Sequence, residues 1–232
     1  MVIAMFLAHL VGDYVLQWDA LAQWKSRAMK GVVVHSIVLF FVTALFALVI
    51  DPRFWPGVAI IGLSHFLIDA AQFYIRPPGP PLVRFFLDQS LHLFFMLVAL
   101  VGGGYLSWGN LLPGIVASAR QAPVLTGLLG YAFITMPAWV LLKFVVYGLV
   151  KRQPPDFPAG PNKFIGITER VIITTLVLFG QVLLVPLVAL PRLLMEWPRV
   201  VRGGGDTVYL AELVSSIILA VAVGLGLSAL TF

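Results

Sequence analysis

Cysteine is absent from this chain. That excludes disulfides, thiolate metal ligands and iron–sulfur clusters, so any bound metal must be held by nitrogen and oxygen donors. Charge is nearly as scarce: 11% of the residues are Asp, Glu, Lys or Arg, against roughly 25% in soluble domains. No basic stripe interleaved with aromatic residues exists. The net charge of +5 is therefore not a nucleic-acid signal, and no nucleic-acid partner is expected. The sequence also lacks a polar low-complexity tail and any stretch with the composition of a soluble domain.

What is present is apolar. Hydrophobic residues make up 60% of the chain and the mean hydropathy is +1.00. Stretches near the roughly 20 residues that cross a bilayer recur along it, at 1–21, 31–50, 55–75, 83–103, 124–150, 168–190 and 207–231. The expected fold is all-α, a polytopic transmembrane helical bundle of six to seven spans forming a single integral membrane domain over 1–232. Within it, 1–104 reads as a repeated helical hairpin, 105–122 as an interfacial segment broken by Gly109, Pro113 and Gly114, and 123–232 as C-terminal helices. Pro137 and Pro186 are expected to bend the fifth and sixth spans. The first span lacks the basic n-region of a cleaved signal and carries His9 and Asp13 in its middle, so it is expected to stay.

Basic residues concentrate in alternate connections: Lys25, Arg27 and Lys30; Arg76 and Arg84; Lys151, Arg152 and Lys163. The positive-inside bias then puts the first, third and fifth connections in the cytoplasm and the N-terminus outside, in a bacterial inner membrane. Arg192, Arg199 and Arg202 in the sixth connection break the pattern.

All four histidines fall in the first 92 residues, and they repeat a motif. His9-x-x-x-Asp13 is followed by His35, 26 positions after His9; His65-x-x-x-Asp69 is followed by His92, 27 positions after His65. Residues four apart share a helix face, so each pair aims its imidazole and carboxylate the same way. Asp88 stands four before His92, where the first copy has Gly31 before His35; this break in the repeat gives Asp88 a distinct role. An Asp at mid-span costs roughly 2.5–3.5 kcal/mol on insertion scales. A shared divalent metal offsets that cost for several groups at once. All seven side chains fall at one depth in the cytoplasmic half, which favours a single site. The expected ligands are His9, Asp13, His35, His65, Asp69 and His92, holding one or two ions of zinc, or of manganese or iron.

Around them, Asp88 and Glu169 are candidate proton acceptors, and Arg170 and Lys25 candidate anion-binding groups. Gln17, Gln72 and Gln89 recur beside the pairs, as donors to substrate or ligands or as interhelical hydrogen bonds.

The series His9-Leu-Val-Gly-Asp13-x-x-x-Gln17, Lys25, His35, His65-Phe-Leu-Ile-Asp69, Asp88-Gln89-x-x-His92 and Gly166-x-x-Glu169-Arg170 resembles a family of bacterial multi-pass membrane proteins classed as a domain of unknown function. In style, the chain is also similar to membrane-bound metal-dependent hydrolases of the YdjM type, a likeness that implies hydrolysis. An intramembrane metal-dependent hydrolase acting on a lipid or lipid-linked substrate is the first expectation. A divalent-metal or proton-coupled transporter, or a metal-stabilised scaffold, are the alternatives. Polar groups concentrated in one half favour the hydrolase; Lys143 and Glu212 are the other deep charges.

Overall fold

Prolines and glycines punctuate the apolar sequence and set where its helices start and stop. A computed structural model describes residues 1–75, 78–155, 157, 162–201 and 207–231. Arg76, Pro158, Pro161 and Arg202 lie outside the described residues, as do the side chains of Lys151 and Arg199.

Among the described residues the chain is all-α, with eleven α-helices and no strand. Helix α1 (Val2–Leu10) runs into a π turn at Val11–Val15, and α2 (Asp19–Arg27) follows after an extended Trp18. Then come α3 (Met29–Ile50), α4 (Trp55–Ile75), α5 (Pro81–Gly102) and α6 (Leu111–Gln121). The rest are α7 (Pro123–Ile134), α8 (Met136–Val146), α9 (Asn162–Leu178), α10 (Val185–Val201) and α11 (Thr207–Thr231). Pro81 and Pro123 open their helices, where a missing N–H costs nothing.

The chain folds as two compact units, one of Met1–Gly79 with Val83–Ala132 and one of Pro80–Leu82 with Phe133–Phe232. In the first, α3 is central, packing against α1, α2 and α4. Two glycines allow this. A Cβ on Gly12 would lie 3.2 Å from the Cα of Leu39, and one on Gly31 would lie 2.4 Å from the carbonyl carbon of Trp24. At the end of α3 the Asp51 carboxylate accepts from the Arg53 N–H at 2.9 Å and from the Tyr105 hydroxyl at 2.5 Å. The Tyr105 hydrogen bond, then that from Arg53, holds the Asp51 carboxyl below its ordinary range. In the second unit, α9 packs along α11 over a core of Ile173, Val177, Val185 and Ala220.

Among the described residues four helices are long and apolar enough to cross a membrane: Met29–Ile50, Pro52–Ile75, Pro81–Gly102 and Val208–Thr231. A fifth is reached if Pro123–Ile134 and Met136–Val150, separated by the break at Thr135, count as one span. Six to seven spans were expected, and two of those segments are shorter than read. The first becomes the apolar helix Val2–Val15, because the chain leaves helical geometry before Trp18. The sixth divides at Gly180, whose φ of 75° is left-handed, so α9 ends at Leu178 and a separate apolar helix covers Val182–Leu194. Segment 105–122 contributes only the eleven-residue α6, packed on α1.

Candidate metal centre

The centre is built where the two N-terminal hairpins meet. The π turn is the first local device. An α-helix would leave Asp13 beside His9, one turn away. The wider π turn carries Asp13 instead to His35, whose Nε2 lies 3.0 Å from its Oδ1, and to His65 at 3.8 Å. In the second hairpin α4 is unbroken, and His65 Nε2 stays 3.2 Å from Asp69 Oδ2, four residues on. Asp69 Oδ2 also lies 3.6 Å from His35 Nε2. His35 and His65 face each other with their Nε2 atoms 3.0 Å apart.

Three donor atoms therefore converge in one group, Asp13 Oδ1, His35 Nε2 and His65 Nε2. The separations given above run from 3.0 to 3.8 Å. Donors arranged tetrahedrally about zinc, at the usual bond lengths near 2.0–2.1 Å, stand about 3.3 Å apart. The three separations within this group, 3.0, 3.0 and 3.8 Å, fit three corners of such a shell. A second group of three, His65, Asp69 and His92, shares His65 with the first. His92 Nε2 lies 3.0 Å from Asp88 Oδ1 and 3.8 Å from Asp69 Oδ1 but aligns with neither as a hydrogen bond. Its ring stacks on that of His65 with centroids 4.1 Å apart. All five of these residues are buried, His35 completely. Buried imidazole and carboxylate groups this close need either shared protons or a cation among them.

One cation is already there. Lys25, on α2, places its Nζ 2.8 Å from Asp69 Oδ2 and 4.0 Å from Asp13 Oδ1. Burial disfavours its charged form, but Asp69 and then Asp13 outweigh that and hold the ammonium above its ordinary pKa. Sequence reasoning offered Lys25 as an anion-binding group; the structure makes it the direct partner of two carboxylates. The close packing of α2 on Gly31 is the signal that brings it there.

His9 lies in neither group of three. Its Nε2 hydrogen-bonds Gln89 Oε1 at 3.3 Å, and its ring is 5.8 Å from that of His92. Gln89 donates in turn to Asp88 at 2.8 Å and to Asp13 at 3.4 Å. Gln72 donates to the other oxygen of Asp88. Gln17 has a buried Oε1 without a hydrogen-bond partner, and no hydrogen bond joins it to this cluster among the described residues.

Two cavities adjoin the centre. A polar one of about 310 Å³ is lined by Lys25, Ser26, Asp69, Gln72 and Asp88 among others. An apolar cleft of about 490 Å³ lies between α4 and α5, walled by Leu63, Leu67, Leu87, Leu91 and Phe95. The two share Gln72 and Asp88.

Glu169 and Arg170 belong to the second unit and find their partners there. Glu169 Oε2 pairs with Arg192 at 2.5 Å, and Arg170 bonds the carbonyls of Ile134 and Thr135 and the hydroxyl of Ser216. Sequence reasoning read Arg192 only as a loop charge and so missed the Glu169 pair; an acid one turn into an apolar helix was the available signal.

No curated protein and no solved structure matches the chain. Over residues 1–111 it matches the family described as Protein of unknown function (DUF3307), a stretch that holds all four histidines with Asp13, Asp69 and Asp88 and ends before Glu169 and Arg170.

Proposed function

We propose that the chain is an intramembrane metal-dependent hydrolase acting on an amphiphilic, phospholipid-like substrate at the cytoplasmic leaflet of a bacterial inner membrane. The observation that carries this reading is the meeting of a polar and an apolar cavity at one carboxylate, Asp88, beside two groups of buried donors that share His65. An amphiphile needs both surfaces, with its scissile bond near their junction. The basic residues of the first and third connections support a cytoplasmic position for that junction.

Asp13, His35 and His65 would hold one divalent ion, zinc or else manganese or iron(II), with His65, Asp69 and His92 the group for a second. Such an ion supplies the Lewis acidity that makes water nucleophilic near neutral pH. The protein's own groups do the rest. Asp88, its oxygens held by Gln72 and Gln89, accepts the proton that water gives up on attacking a phosphoryl or acyl centre. The bond to the leaving oxygen breaks, and the same proton passes to that oxygen. Lys25 stands in the polar cavity as a point charge for an anionic head. His9 and Gln89 orient Asp13 and Asp88. Glu169 is committed to Arg192 and takes no part in this step.

The competing reading is a cation transporter. Its support is Lys25, which bridges both carboxylates as a tethered ion and could exchange with a passing one. The two readings part in one experiment. Purified protein, analysed for metal per chain, is screened against membrane phosphate and acyl esters and, in sealed liposomes, for metal and proton flux. Hydrolysis that needs bound metal and Asp88 supports the proposal. Flux without product from any lipid overturns it.

A further inference from the structure

The second unit contains a polar cavity of about 200 Å³ that the reading above does not use. Its lining includes Lys143, Lys163, Arg170, Arg192, Ser216 and one carboxylate, Glu212. Arg170 is the most telling of these, being only 3% exposed. The chain breaks at Thr135, whose carbonyl accepts from the Trp139 N–H at 3.2 Å, and the carbonyls at this break draw further donors from a side chain. Arg170 supplies them, its Nε donating to Ile134 O at 2.7 Å and its Nη2 to Thr135 O at 3.1 Å. Its Nη1 donates to Ser216 Oγ at 3.2 Å.

All three acceptors are neutral, and a guanidinium has five N–H donors. Among the described residues no carboxylate is ion-paired with Arg170. The nearby acids are paired with other cations of the cavity, Glu169 with Arg192 at 2.5 Å and Glu212, itself in the lining, with Lys143 at 2.8 Å. A buried guanidinium without an anion is unfavourable. Gly166 lets a second guanidinium converge on the first. A Cβ there would lie 3.2 Å from Nη1 of Arg192 and 3.5 Å from Nη1 of Arg170.

We propose that this cavity binds a phosphate group, carried either by inorganic phosphate or by an anionic lipid head, between Arg170 and Arg192. Guanidinium forks match phosphate oxygens in geometry and charge. Cations placed around the cavity suit a tetrahedral oxyanion, which presents oxygens in several directions, better than a carboxylate, which presents two. The site stands on second-unit residues alone and does not depend on the metal centre.

The test uses full-length protein in detergent, stripped with chelator so that no metal binds the probe. Inorganic phosphate is titrated and followed by phosphorus NMR. In parallel, protein in phosphatidylcholine nanodiscs with and without phosphatidic acid is examined by native mass spectrometry for retained lipid. Arg170→Gln also removes the cap on α7 and risks misfolding, so the deciding variants are Arg192→Gln and Gly166→Val. The valine fills the space between the guanidinium ends while keeping every charge. Both variants should weaken saturable binding at least tenfold. Binding of inorganic phosphate identifies a free-ion site, and retention of phosphatidic acid alone identifies a headgroup site. The proposal is overturned if neither probe binds saturably, or if both variants bind like the parent.

Discussion

In the first hairpin the carboxylate that follows the leading histidine sits in a π turn; in the second its counterpart sits in an unbroken α-helix. Asp13 consequently leaves His9 and reaches across to His35 and His65, while Asp69 remains against its own His65. The hairpins differ again four residues before the trailing histidine. The second has Asp88 there, 3.0 Å from His92. The first has Gly31, where the α2 backbone packs so closely that no side chain fits and Lys25 is delivered to Asp69 instead. Two copies of one pattern thus give the centre unlike sides, one bearing a cation and the other an acceptor. Identical spacing in sequence does not dictate identical use.

The largest effect expected of any single change is at the residue both groups of three share. His65→Ala should lower metal affinity by more than about 100-fold, since it opens the coordination shell itself. His9→Ala, which removes a group hydrogen-bonded through Gln89, should cost nearer 10-fold, the lower end for groups that orient ligands. Competition against a chelating dye would measure both. Equal losses would make His9 a ligand and restore the symmetry of the hairpins.

Asp88→Asn probes the acceptor side. Turnover of the lipid substrate should fall about 10²–10⁴-fold, while metal per chain, read by elemental analysis, stays near the parent value. Loss of metal in parallel would place Asp88 among the ligands.

Gly31→Ala probes the packing that makes the first hairpin different. A Cβ 2.4 Å from the Trp24 carbonyl carbon meets backbone, not a flexible side chain. The cost should be about 1–3 kcal/mol, the usual range for overpacking, seen as a lower midpoint in detergent unfolding. No change would mean that α2 is not held against α3.

Removing the cation is the mildest test. Lys25→Met should tighten divalent-metal binding severalfold, because an ammonium 2.8 Å from Asp69 competes for the same oxygen. The pH dependence has a definite sign. With its pKa raised in the fold, Lys25 stabilises metal-free protein fully below the ordinary lysine value and loses that contribution as pH rises through the raised one. Unfolding midpoints of metal-free parent and Lys25→Met should therefore converge above the ordinary lysine range. A gap that widened there would reverse the assignment.

The convergence of the two hairpins was legible in sequence, because spacing of four along a helix and agreement in depth both follow from helical geometry alone. The structure gathers Asp13, His35 and His65 in one group of donors and His65, Asp69 and His92 in another, and His9, read as a ligand from sequence, lies in neither. What stayed hidden depends on departures from the regular helix. A π turn has no compositional signature, so the parting of His9 from Asp13 could not be read. The break before Trp18 and the left-handed Gly180 shortened two segments whose hydropathy alone looked long enough to cross. The partners of Glu169 and Arg170 were equally out of reach, since each is set by tertiary packing within the second unit.

Helix α2 is nine residues long, with Trp18 at its start and Trp24 within it both exposed and Lys25 turned inward. Tryptophan settles at the boundary between lipid headgroups and acyl chains. Under the proposed reading, a short stiff rod anchored there, with its ammonium on Asp69, would tie the thickness of the surrounding bilayer to the electrostatics of the donor set. Thinner or thicker membranes would then pull on that rod, and lipid composition would become a variable of metal binding as well as of the solvent.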